Sequence, residues 1–115
     1  QHMNWTDLRT AQQLNDIIDL SHQRPQVVFK HSTRCNISSI AWNRLKNAGS
    51  IEGADLYYLD LLSHRSLSGQ IAESLHVHHE SPQIILIKKG KCVYDESHLG
   101  ITADELREQI LHAKL

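Results

Sequence analysis

Residues 26–42 decide the fold: Gln26-Val27-Val28-Phe29-Lys30-His31-Ser32-Thr33-Arg34-Cys35-Asn36-Ile37-Ser38-Ser39-Ile40-Ala41-Trp42. Val27, Val28 and Phe29 form an apolar, β-branched run of strand length behind Pro25. Ser32 and Thr33 supply turn and cap chemistry. Beyond Cys35 the apolar period changes, because Ile37, Ile40, Ala41, Leu45 and Ala48 recur three or four apart, as on one helix face. The stretch therefore reads strand, tight turn, helix, with Cys35 in the first helical turn. At that position unpaired backbone N–H groups and the positive end of the helix dipole favour a thiolate over a thiol. Lys30, His31 and Arg34 add positive charge nearby in sequence. Cys35 is the candidate nucleophile, set against the plainer reading of an inert buried cysteine.

The 115 residues suit a single domain able to bury its own core. Gln1-His2 before Met3 looks like the remnant of a cleaved tag, so the domain is taken as residues 3–115. A formal charge of −1 gives no electrostatic footprint for nucleic acid. No apolar run is long enough for a membrane span, and no secretory segment opens the chain. A cytoplasmic, reducing setting is expected, and two cysteines make no disulfide framework there. The nine histidines swing the net charge positive on mild acidification.

Thr6 is expected to cap a first helix whose stripe is Leu8, Ala11, Leu14, Ile17 and Ile18, ending before Arg24-Pro25, with Trp5 anchoring its start. After the central strand and helix, Asn47-Ala48-Gly49-Ser50 is a helix stop. Residues 56–62 read as a second strand with Asp60 either at its end, the preferred reading, or buried with a partner, and residues 66–75 as a third helix with Leu67, Ile71, Ala72 and Leu75 inward. Pro82 opens a third strand over 83–87, Lys89-Gly90 turns, and 91–94 returns antiparallel. Thr102 and Glu105 have capping-box spacing before a last helix carrying Leu106, Ile110 and Ala113. The order α, β, α, β, α, β, β, α implies an α/β domain. Its four-stranded mixed sheet has two parallel strands plus an antiparallel hairpin, flanked by helices, with an extra N-terminal helix. A central first strand puts Cys35 at the carboxyl edge of the sheet, where open α/β folds place ligands.

A cysteine after the first core strand and a proline opening the third resemble the thioredoxin-like fold, in which that proline is cis and faces the active cysteine. Residues Phe29 to Ser38, His79-Glu80-Ser81-Pro82-Gln83 and Ser97-His98 together resemble the YtxJ-type monothiol bacilliredoxin-like family. The likeness runs from about Trp5 to Ile110. It implies a bacterial thiol–disulfide oxidoreductase that takes a low-molecular-weight thiol, expected to be bacillithiol, from S-thiolated proteins onto Cys35. Bacillithiol is then a co-substrate, and no cofactor is expected. Members of the family commonly carry Cys-Pro-Ile-Ser where this chain has Cys35-Asn36-Ile37-Ser38, so Asn36 keeps an N–H that proline lacks.

A dithiol mechanism needs a resolving cysteine three residues on, where Ser38 stands, so an outside thiol must resolve the mixed disulfide. Ser38, at i+3, is a candidate donor to the Cys35 thiolate. Cys92, beyond the hairpin turn, is expected to lie too far from Cys35 to resolve it. Pro82 in its cis form would hold Ser81 so that its backbone pairs with an extended substrate. Arg34, His31, Lys30, His79 and Glu80 are candidates for contacting a charged thiol; bacillithiol's malate offers two carboxylates. His76, His78, His79 and Glu80 are ligand types at short spacing that Cys35 could complete, but no second ligand pair supports a metal, and none is expected. The competing function is a non-catalytic redox sensor or a module that binds a thiol or peptide. A monomer is expected, with a dimer left open.

Overall fold

The run from Gln26 to His31 is buried at every position, as a strand covered on both faces must be. The computed structural model describes residues 4–114, so the expected tag remnant lies outside the described residues. The elements are β1 (Trp5–Asp7), α1 (Ala11–Leu20), β2 (Gln26–His31), α2 (Asn36–Asn47), β3 (Asp55–Asp60), α3 (Arg65–Leu75), β4 (Gln83–Lys88), β5 (Lys91–Ser97) and α4 (Ala103–Ala113), with a 3-10 turn at His98–Gly100 before α4. The sheet order is β1-β3-β2-β4-β5. β1 and β2 both run parallel to β3, whereas β4 is antiparallel to β2 and to β5.

Among the described residues the sheet thus has five strands rather than four, and the extra one is β1. Trp5, Thr6 and Asp7 pair with Leu56, Tyr57 and Tyr58, and the helix starts later, capped by Thr10, whose hydroxyl accepts from the Gln13 N–H. Leu8 misleads because it is buried like the helical residues Leu14 and Ile17 yet belongs to the connection between β1 and α1. Thr102 caps α4 as expected, accepting from the Glu105 N–H.

Strand alternation divides the core. Val27 and Phe29 face one side with Trp5, Trp42, Leu45, Leu106 and Ile110; Val28 faces the other with Leu14, Ile17, Ile71, Ile85 and Ile87. On α2 the inward face is Ser38, Ala41, Trp42 and Leu45, while Ile37 and Ile40 are exposed, against the face expected from their spacing. Trp42 explains the rotation: its ring stacks on Phe29, with centroids 5.5 Å apart and planes at 12°. An indole buries more surface than an isoleucine side chain, so it sets which stripe of the helix faces the sheet.

Candidate active site

β2 ends at His31, and a tight turn in which the Cys35 N–H donates to the Ser32 carbonyl (3.1 Å) reverses the chain. Cys35 is the N-cap of α2, with extended backbone (φ −109°, ψ 123°), one position ahead of the expected first turn. Its carbonyl accepts from the Ser39 N–H at 3.0 Å, while its half-buried side chain makes no capping hydrogen bond. That position sets Cys35 at the N-terminal, positive dipole end of α2, where a helix's first N–H groups lack intrahelical partners.

Ser38 does not donate to the thiol as the i+3 spacing suggested. Its side chain is fully buried on the inner face of α2, and its hydroxyl lies 2.6 Å from His31 Nδ1 and accepts from the Ser32 N–H at 2.9 Å. It ties the first turn of α2 to the end of β2, which makes it a positioning residue for Cys35. His31 and Lys30 are also interior, so neither stands at the surface for a charged thiol to reach. Alternation sends them to opposite faces: His31 stacks on Phe29 (5.9 Å), whereas Lys30 points toward α3 and the loop after it. Arg34 remains exposed beside Cys35.

The antiparallel register Lys30↔Gln83 brings the loop 79–82 to the same edge of the sheet as the turn 32–35. The Ser81-Pro82 peptide is cis. The loop is braced from three directions. His98 N–H donates to the Pro82 carbonyl (3.0 Å), Glu80 lies 3.5 Å from His98 Nε2 and 3.7 Å from His78 Nε2, and the buried Gln83 amide donates to the His78 carbonyl (2.9 Å). The Ser81 hydroxyl is buried and unpartnered among the described residues.

Sequence reasoning missed one feature of the site. The fully buried Lys30 places its Nζ 2.7 Å from Nδ1 of the exposed His79, with Ser68 Oγ 3.4 Å from the same nitrogen. A lysine inside an apolar strand was its only signal. Burial pulls Lys30 down from 10.5 to about 8, against the opposing pull of Glu80 and Asp95. Burial also lowers His79 from 6.5, assisted by Lys30 and His78 and opposed by Glu80. Both are bases held below their unfolded values, so the unfolded chain binds more protons in each window and stability rises with pH there. The stability of the protein relative to Lys30→Met is therefore expected to be level just below pH about 8 and to climb toward pH 10.5. Urea unfolding of both proteins across that range measures it, and a flat difference would mean that Lys30 is solvated.

Cys92 lies at the other end of the sheet. Ile87 pairs with both Gln26 and Cys92, which sets Cys92 level with the start of β2, about 17 Å of strand from the His31 end. Its thiol is pushed up by burial and by Asp95 and donates to the Tyr94 carbonyl at 3.5 Å. Among the described residues no three His, Cys, Asp or Glu side chains gather as a metal ion requires. A cleft of about 450 Å³, lined by Asp7, Arg9, Tyr58, Asp60 and His64, opens at the carboxyl ends of β1 and β3. The Tyr58 phenol there is raised to about 12 by burial, Asp60 and Asp7, and stays neutral. No helix among the described residues is long and apolar enough to cross a membrane.

Residues 6–106 match the family described as monothiol bacilliredoxin BrxC. A solved structure described as a candidate oxidoreductase with a thioredoxin fold is 29% identical, with a TM-score of 0.80 over 92% of this chain and 93% of its own. A thioredoxin variant from Halobacterium salinarum NRC-1 (12% identical, TM-score 0.75, covering 100% and 95%) shares the fold. So does the thioredoxin of Fasciola hepatica, at 21% identity and TM-score 0.73, covering 94% and 98%.

Proposed function

Since the chain belongs to the monothiol bacilliredoxin BrxC family, which supports a thiol oxidoreductase function, we propose that it strips a low-molecular-weight thiol from S-thiolated proteins through a mixed disulfide on Cys35. The observation that carries this reading is a half-buried cysteine at a helix N-terminus, with a buried serine at i+3 and the other cysteine at the far end of the sheet. The Cys35 thiolate attacks the small thiol's sulfur in the protein mixed disulfide. The protein's sulfur leaves as a thiolate and takes a proton from solvent, and Cys35 keeps the small thiol as a disulfide. A second small thiolate then attacks that thiol's sulfur, releasing Cys35 as a thiolate and a symmetric small disulfide. Each step exchanges one S–S bond for another, and the outside thiol supplies the reducing electrons.

Bacillithiol is the small thiol that the family implies. Ile37 and Ile40, exposed on the helix that Cys35 opens, offer apolar surface for a polypeptide substrate, and the exposed Leu99 is tied to the same helix through its carbonyl, which accepts from Arg44. Mass spectrometry of the protein mixed with a bacillithiolated target tests the reading. The target is expected to lose the adduct while Cys35 gains it, and excess bacillithiol to clear Cys35 over repeated turnovers. A single transfer that never clears would instead favour the sensor or binding-module reading.

A further inference from the structure

We propose that Lys30 acts as a positioning residue: its buried amine, donating to His79 Nδ1, fixes His79 as the Nε2–H tautomer and presents that N–H beside the Pro82 loop to a carboxylate on the departing or incoming thiol. This rests on the thiol-exchange reading and adds to it a residue pair and a substrate charge.

The geometry supplies the first half. An ammonium group has three donors and no acceptor, so a contact of 2.7 Å to a ring nitrogen requires that nitrogen to accept. In neutral imidazole the proton then sits on Nε2. Protonating His79 would set two donors against each other at the same distance, so the pair holds the ring neutral. The lowered value of His79 has that sense. The other groups around the pair are Ser68 from α3, Glu80 and His78 from the loop, and Gln83 and Asp95 from β4 and β5.

Exposure supplies the second half. Lys30 is wholly buried, yet His79 is exposed, and its Nε2 has no partner among the described residues. The ring carries the influence of an inaccessible ammonium to the surface, two residues before Ser81 and at the same sheet edge as Cys35. A neutral N–H backed by a cation suits an anionic acceptor better than a neutral one. Arg34, exposed next to Cys35, adds charge of the same sign.

Two measurements test the two halves. In histidine-labelled protein, long-range nitrogen–proton correlation at pH 7 is expected to show His79 protonated on Nε2 alone. The preference should relax in Lys30→Met, and in the wild type above pH about 8, where Lys30 loses its charge. A ring protonated on Nδ1, or one unaffected by Lys30→Met, overturns the proposal.

The reaction of Cys35 with the symmetric disulfides of mercaptosuccinate and of mercaptoethanol is then followed in single exchanges. His79→Ala and Lys30→Met are expected to slow the anionic disulfide about tenfold, the worth of one charge-assisted hydrogen bond, and the neutral one less than about twofold. Equal slowing of both overturns the carboxylate assignment. His79→Ala changes an exposed loop residue, so this arm stands even where Lys30→Met folds poorly. If Cys35 reacted with neither disulfide, the exchange function itself would fail, while the tautomer would still be read from the nitrogen shifts.

Discussion

Cys35→Ser is expected to abolish thiol transfer, with a rate loss of at least about a thousandfold, while Cys92→Ser stays within about twofold of the wild type. A serine hydroxyl at neutral pH is a far poorer nucleophile than a thiolate, and no second thiol stands near enough to take over. Cys92 cannot substitute, because the register Ile87↔Cys92 holds it level with Gln26, at the opposite end of β2 from the turn that carries Cys35. Its thiol is also disfavoured as a nucleophile, since burial and Asp95 both raise it. De-thiolation of a bacillithiolated protein, followed with each single variant and the double variant, gives the answer directly. A comparable loss in both single variants would mean that the cysteines act together, which this sheet does not permit without unfolding. A loss in neither would remove Cys35 from the chemistry.

The thiol, the loop proline and the order of the core elements were legible because each is marked locally. Pro82 before an apolar run, Cys35 at a change from strand to helix period, and Thr102 three residues before Glu105 are all short-range signals, and the structure has a cis peptide, a helix N-cap and a capped helix at those positions. β1 was not legible, because a strand of three residues pairing across to Leu56–Tyr58 has no period of its own. The face of α2 was misread for a related reason. Ile37 and Ile40 have core spacing, but Ser38 and Trp42 occupy the inner face through partners on β2 that sequence spacing cannot announce. The result is apolar surface on the same helix as the thiol. Departures from hydrophobic pattern are expected at working surfaces, where local rules give way to function. Lys30 shows the converse: a charged residue within an apolar strand read as a surface group, though both faces of β2 are covered and its partner lies 49 positions away.

Phe29→Ala is expected to destabilise the protein by about 3–5 kcal/mol, a large part of the roughly 5–15 kcal/mol by which such domains are stable. Phe29 is wholly buried and sits at the centre of an aromatic group. Trp42 stacks on it at 5.5 Å, His31 at 5.9 Å, and Trp5 meets it edge-on at 6.3 Å. Removing the ring opens a cavity between β2 and α2 that the remaining rings cannot fill without leaving their own contacts. Phe29→Leu keeps most of the volume and is expected to cost about 1–2 kcal/mol. Urea unfolding measures both, and the readout is direct because Trp5 and Trp42, the two tryptophans of the chain, both belong to the group. The consequence reaches the site. Trp42 fixes the rotation of α2, and the His31 ring stacked on Phe29 holds Ser38, which fastens the first turn of α2 beside Cys35. Phe29→Ala should therefore slow alkylation of Cys35 or broaden its rates at temperatures where the variant is still folded, whereas an equally costly truncation on the opposite face, Ile71→Ala, should not. If the two truncations affected Cys35 alike, the aromatic group would be a source of stability alone, and the thiol would owe its placement to the turn 32–35 rather than to the core beneath it.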